Sequence, residues 1–138
     1  MAYWLIKSEP FVYSFSRLQE EGLVMWDGVR NYMARNYLRQ MQVDEQVLFY
    51  HSNEGLEVVG VCRVARTYYP DPTAESGDWS AVDFAPVRRL VHPVSLRRIK
   101  ETPALQQIGL VRMGRLSVMP LTEQEFAAIV ALGGGLEE

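Results

Sequence analysis

Two strand-length apolar runs, Gln46–Ser52 and Leu56–Arg66, face each other across Asn53-Glu54-Gly55. This is the tightest local constraint in the chain. Asn and Gly supply the backbone freedom of a short reversal, and β-favouring residues flank it on both sides. The spacing predicts an antiparallel hairpin at the middle of the chain. Whatever surrounds it must cover its apolar faces.

The flanking segments predict more strands and several short helices. Residues 2–8, Trp79–Val91 and Arg115–Met119 read as strands, the second bulged near Pro86 and broken by His92-Pro93. Leu23-Val24-Met25 is a further apolar step. Tyr13–Glu21 reads as a helix capped by Ser14 or Ser16 and stopped by Gly22. Asn31–Gln40 carries an apolar helical stripe, and 95–100 and 103–108 read as short helices. Thr122-x-x-Glu125 is a capping box that opens a last helix ending at Gly133. Residues 69–78, rich in Pro, Gly and Asp, read as a loop. About six strands with helices at the ends and one side predict an α+β fold, a twisted mixed sheet or partly open β-barrel.

Length and composition narrow the function classes. A chain of 138 residues makes one domain, 1–138, with a sizeable core. There is no membrane-spanning apolar run and no signal-type N-terminus, so a cytoplasmic chain is expected. Cys62 is the only cysteine, which excludes an internal disulfide and a Cys-rich zinc site. A net charge of −3 argues against bulk electrostatic attraction to duplex nucleic acid. Among the basic residues only Lys7 and Lys100 are lysines; the rest are arginines, which hold phosphate bidentately and stack on flat rings. Arg-rich codon usage is the alternative source of that bias.

Polar residues gather where the predicted core elements end. Lys7-Ser8-Glu9-Pro10 follows the first strand, and Trp26-Asp27-Gly28-Val29-Arg30-Asn31 follows the apolar step. Such a set suits a polar-floored pocket with an aromatic wall for a planar group. Trp26 and Trp79 are the candidate walls, each with a core position as its alternative, and Trp4 is assigned to the core. Lys7 can meet a phosphate or a base carbonyl, and Ser8 can donate to a ring acceptor or cap the next turn. Asp27 can accept from an exocyclic amine or close an Asx turn before Gly28. Asn31 offers a donor and an acceptor, or caps a helix. Ser52 ends its strand within reach of a ligand. Arg115 and Ser117, alternating on a strand, would share a face and hold phosphate, and Arg97, Arg98 and Lys100 would follow a backbone. Surface ion pairs and a solvated face are the alternatives. No metal or cofactor is called for: His51 and His92 lie on separate elements, and no P-loop, Gly-x-Ser-x-Gly or His-Glu-x-x-His is present.

The ordered motifs resemble the EVE domain of the PUA-like superfamily. They are Trp4–Pro10, Trp26–Tyr32 with Ala34-Arg35-Asn36, Leu48–Ser52, Tyr69-Pro70-Asp71-Pro72-Thr73, and Gly114–Val118 with Pro120. The match runs nearly end to end. It departs where Ala74–Asp78 replace a longer insert that borders the pocket in this superfamily, implying a more open wall. Val43-Asp44-Glu45 replaces a Gly-Asp turn. The family is similar to the YTH readers of methylated adenine. The resemblance implies a module that flips a modified base, cytosine or adenine in DNA or RNA, into an aromatic pocket without chemistry. A small hydrolase of modified nucleosides, using Lys7 with Glu9 or Asp27, is the alternative. A protein-interaction adaptor is the other.

Overall fold

A computed structural model describes residues 1–138. In chain order the elements are β1 (Tyr3–Ser8), α1 (Phe15–Glu21), β2 (Val24–Trp26), α2 (Tyr32–Gln40), β3 (Gln46–His51), β4 (Glu57–Pro70) and β5 (Ser80–Ser95). There follow α3 (Leu96–Lys100), a 3-10 turn (Pro103–Leu105), α4 (Gly109–Arg112), β6 (Val118–Leu121) and α5 (Glu123–Leu132). The strands form one open mixed sheet in the order β2-β5-β4-β3-β1-β6. Only β1 and β3 run parallel; every other pair is antiparallel. Both α2 and α5 contact β5 and β6, which lie towards opposite edges of that order. The sheet must curl to allow this, as the expected α+β, PUA-like half-barrel requires. No helix is long and apolar enough to cross a membrane.

Local chemistry sets the element ends. Ser14 accepts the Arg17 N–H to cap α1, and Gly22, at φ 76°, turns the chain out of it. Asn31 accepts the Ala34 N–H and caps α2. Thr122 and Glu125 exchange both bonds of the capping box at α5. Val47, Leu48, Phe49 and Tyr50 are buried in succession on β3, because this central strand is covered on both faces. The N-terminus is pinned by the buried Glu45, whose carboxylate accepts from Trp4 Nε1 at 2.9 Å, Ala2 N at 2.9 Å and Gln42 N at 2.8 Å. Trp4 is a core residue, as expected.

Three strand boundaries differ from the sequence reading, and so does the helix expected over 103–108. Only Pro103–Leu105 form a 3-10 turn, and Ile108, extended at ψ 150°, separates it from α4. β4 continues through Tyr69 to Pro70, paired with Ala81 and Ser80, so the loop starts only at Asp71. β5 passes His92-Pro93 and re-pairs Val94 and Ser95 with Val58 and Glu57. In between, the Val91 and His92 N–H groups turn to the carbonyls of Gly135 and Gly133. Pro93 therefore falls in an irregular stretch that needs no ladder donor. Finally, β6 begins at Val118. Arg115 and Ser117 lie in the preceding turn, where Leu116 N bonds Met113 O at 2.9 Å, so strand alternation does not place them on one face.

The hairpin expected around Asn53-Glu54-Gly55 is present, with Gln46 opposite Arg63 and Phe49 opposite Gly60. The tip of the Phe15 ring of α1 packs against Gly60: a Cβ there would sit 2.5 Å from its ring carbons. Phe15 also meets Phe49 edge-on at 5.3 Å. Gly60→Ala is expected to overpack this contact and cost about 1–3 kcal/mol. It should be read as a lower urea midpoint at unchanged m-value. Pairing it with Phe15→Leu is expected to recover part of the loss.

Candidate functional site

Trp26 closes edge strand β2, opposite Val82 of β5. Its indole meets Phe49 at 5.7 Å, Phe84 at 5.9 Å and Tyr13 at 6.1 Å, all edge-on. Trp26 packs against the core and borders a cleft. The cleft has two adjoining lobes. One, about 240 Å³, lies between Trp26, Met25, Tyr13, Val12 and Ser8, with Asp27 at its edge. The other, about 280 Å³, runs from Trp26 and Asp27 past Lys7, Ser8 and Arg30 to Ser117. Each lobe falls below the roughly 300–1,000 Å³ of drug-sized sites and suits a smaller group.

Hydrogen bonding defines what the cleft offers. The Ser8 hydroxyl donates to the Tyr13 carbonyl, so it faces a ligand as an acceptor and not as the expected donor. Lys7 Nζ donates to Gly114 O at 2.8 Å, leaving two of its three N–H groups free. Burial lowers the pKa of this ammonium. Ser117 is held beside it by the bond from Lys7 N to Ser117 O, 3.0 Å. The exposed Asp27 accepts no hydrogen bond within the chain, so the Asx turn is not formed and its carboxylate is uncommitted. Lys7 and Glu9 do not pair, since Glu9 accepts from Asn53.

Asp71, on the loop after β4, holds the cleft's outer rim. Its carboxylate is fully buried and accepts from Gly28 N at 2.9 Å, Arg30 Nη1 at 2.9 Å, and Thr73 N and Oγ1 at 2.7 Å each. Burial pushes its pKa up, but the bonds from Gly28, Thr73 and Arg30 outweigh that and hold it at about 2. Gly28 adopts φ 76°, a conformation that suits glycine, to aim its N–H at this carboxylate. The sequence assigns no role to Arg30, Asp71, Val12 or Tyr13, although Arg30 stands in the polar set that follows the apolar step. The first two lie inside the Trp26–Tyr32 and Pro-Asp-Pro-Thr motifs, and that was the available signal.

The other expected site residues are dispersed. Trp79 borders neither lobe, contrary to the expectation of one cavity walled by two indoles. The short 74–78 loop is clamped to α2 instead: Arg39 reaches Asp78 Oδ1 at 2.7 Å and Ser80 Oγ at 2.9 Å, and Arg35 the Asp78 carbonyl at 3.0 Å. Trp79 then stacks on Tyr32 at 5.0 Å and 22°. None of Ala74–Asp78 lines either lobe of the cleft. Asn31, already capping α2, shares a separate cavity with Arg115, whose guanidinium has no partner in the chain. Ser52 lies beside Ser8 through the bond from Ser52 N to Ser8 O, 2.9 Å, but lines neither lobe. Arg97 pairs with Glu101, and Arg98 donates to the Leu132 carbonyl. With Lys100, Arg97 borders a larger open cavity of about 530 Å³ beside Gly55-Leu56. That cavity has no aromatic wall, so the Trp26 cleft is the better candidate.

The model of the EVE domain family matches residues 2–132. The chain belongs to the EVE domain family. A solved protein from Agrobacterium tumefaciens is 42% identical, covers 100% of this chain and 97% of its own, and has a TM-score of 0.95. Human thymocyte nuclear protein 1 is 31% identical over 165 residues, covering 95% of this chain and 73% of that protein. Its structure in complex with DNA containing 5-methylcytosine has a TM-score of 0.89, with 99% of this chain and 100% of that chain covered. An ASCH protein from Zymomonas mobilis, 13% identical with a TM-score of 0.61 and 98% coverage of both chains, shares the fold alone. These likenesses fit the PUA-like architecture described above.

Asp71→Asn places an amide against N–H donors and is expected to cost about 1–3 kcal/mol near neutral pH. The sign of its pH dependence follows from the lowered pKa. The stabilisation from Asp71 is complete above the ordinary carboxyl value of 3.8 and is lost as pH falls through about 2. Asp71→Asn should lack that acid-side loss, which urea titrations across this pH window measure.

Proposed function

We propose that this EVE domain binds single-stranded or locally opened DNA and reads a modified cytosine turned out into the Trp26 cleft. One observation carries the proposal: a partly buried indole borders the same cleft as the uncommitted Asp27 carboxylate. The indole offers a flat stacking face. A carboxylate accepts from the N4 amine of cytosine. Met25, Val12 and Tyr13 supply apolar surface for a ring methyl. The complex of human thymocyte nuclear protein 1 with 5-methylcytosine DNA supports the choice of ligand. A base enters such a cleft only after leaving its stack, which costs a few kcal/mol in a duplex. With a net charge of −3, general attraction to the backbone offsets little of that cost. Unpaired strands are therefore favoured over duplex. Lys7, Arg30 and the unpaired Arg115 stand around the cleft and its neighbouring cavity as phosphate contacts.

Single-stranded oligonucleotides of DNA and RNA, each with one 5-methylcytosine or its unmodified twin, test this reading. Trp26→Leu keeps an apolar side chain in the core but removes the flat wall. It is expected to weaken the modified strand by about ten- to a hundredfold, following base–aromatic stacking of roughly 1–3 kcal/mol, and to erase the preference over the twin. Unchanged preference in the folded variant would refute the cleft as the reading site.

Salt dependence separates the two kinds of contact. The slope of log affinity against log salt is about −0.7 per phosphate on single strands, so about −2 is expected for three cations. Arg115→Ala should remove about one contact from the slope and weaken modified and unmodified strands alike. Trp26→Leu should leave the slope unchanged. Identical behaviour of the two variants would contradict the division of roles.

A further inference from the structure

Beside the cleft lies an aromatic and cationic surface of which the base-reading site uses only Arg30. Tyr32, at the first turn of α2, is 67% exposed and stacks at 5.0 Å on Trp79. The Arg35 guanidinium lies 5.0 Å from the Tyr32 ring and 5.9 Å from the Trp79 ring. Arg30 lies 5.6 Å from the Trp79 ring and also lines the cleft beside Trp26 and Asp27. One guanidinium thus joins the cleft to the aromatic pair.

The pair is braced from below. Trp79 is fixed by the loop that Arg35 and Arg39 hold against α2, and its indole lies over Gly77, where a Cβ would sit 2.7 Å from Nε1. A large exposed aromatic side chain, supported on one side and flanked by two arginines, has the makings of a stacking platform for single-stranded nucleic acid. Its union with the cleft through Arg30 selects the occupant.

We infer that Tyr32, stacked on Trp79, is a second base-binding subsite that takes the nucleotide next to the one held in the Trp26 cleft. This rests on the cleft being the reading site. When a base turns out of its strand it loses its stacking neighbours, and the adjacent base is left with one face bare. Tyr32 replaces the missing face, while Arg30 and Arg35 meet the phosphate charge nearby. Stacking accepts any base, so this subsite adds affinity for a strand without adding sequence preference.

The test uses three short single-stranded DNA probes carrying one 5-methylcytosine. One has ordinary bases on both sides; the others carry an abasic spacer on the 5′ or the 3′ side. The wild-type protein is expected to lose about tenfold in affinity on one of the two abasic probes. Tyr32→Ala, an exposed change, is expected to lose about tenfold on the intact probe and nothing further on that abasic probe. Tyr32→Phe should bind like the wild type. The inference is overturned if Tyr32→Ala binds the intact probe at wild-type strength, or if it loses equally on all three probes. Preference for the methylated probe over its unmethylated twin reports on the cleft instead, and its survival in Trp26→Leu marks failure of the cleft reading. The two failures are thus read from different variants.

Discussion

The Asp71 carboxylate is the interaction on which the site depends. It is buried, yet it comes from a surface loop, and every donor it accepts from belongs to a segment that shapes the cleft or its surroundings. The bond from Gly28 N fixes the turn that carries Asp27. The Arg30 ion pair sets the guanidinium between the cleft and the Tyr32–Trp79 pair. The Thr73 bonds close the Asp71 loop on itself. A buried carboxylate without such partners would be protonated or excluded. With them it becomes a rigid joint between the β2–α2 and β4–β5 connections. An exposed loop thereby gains the precision of a core element.

The cleft follows the same economy. Ser8 and Lys7 are each held by one side-chain bond and keep other bonding capacity for a ligand. Ser8 keeps its lone pairs, Lys7 two of its N–H groups, and Asp27 its whole carboxylate. Trp26 is fixed edge-on by Phe49, Phe84 and Tyr13 and still borders open space. Groups so restrained lose little further freedom when a ligand arrives, which is the benefit of pre-organisation.

Much of this could be read from the residues. Ser14, Gly22, Asn31 and the Thr122–Glu125 box announced the helix ends because capping is local chemistry. The central hairpin was legible from Asn53-Glu54-Gly55 and the apolar runs beside it. Lys7, Ser8, Trp26 and Asp27 line the two adjoining lobes beside β2, and their part in holding a base belongs to the proposal. The misplaced elements depend on partners distant in sequence. Pro93 seemed to end β5, but register shifts let the ladder resume beyond it. Trp79 seemed a second wall of the same pocket, but Arg35 and Arg39 draw its loop onto α2. Asp71 read as a turn residue; its partnership with Gly28 and Arg30 spans more than forty positions that periodicity does not link.

The central claim is that Trp26 touches the modified base. The chain's three tryptophans make this directly observable, since each indole N–H gives its own signal in a nitrogen-15 correlation spectrum. Trp4 is an internal reference because its Nε1–H is buried on Glu45. On titration with a single-stranded DNA carrying one 5-methylcytosine, the Trp26 indole signal should shift and saturate with binding while that of Trp4 stays in place. The unmodified strand should produce a smaller Trp26 shift at equal concentration. A Trp26 signal that stays still while the modified strand binds would contradict the account.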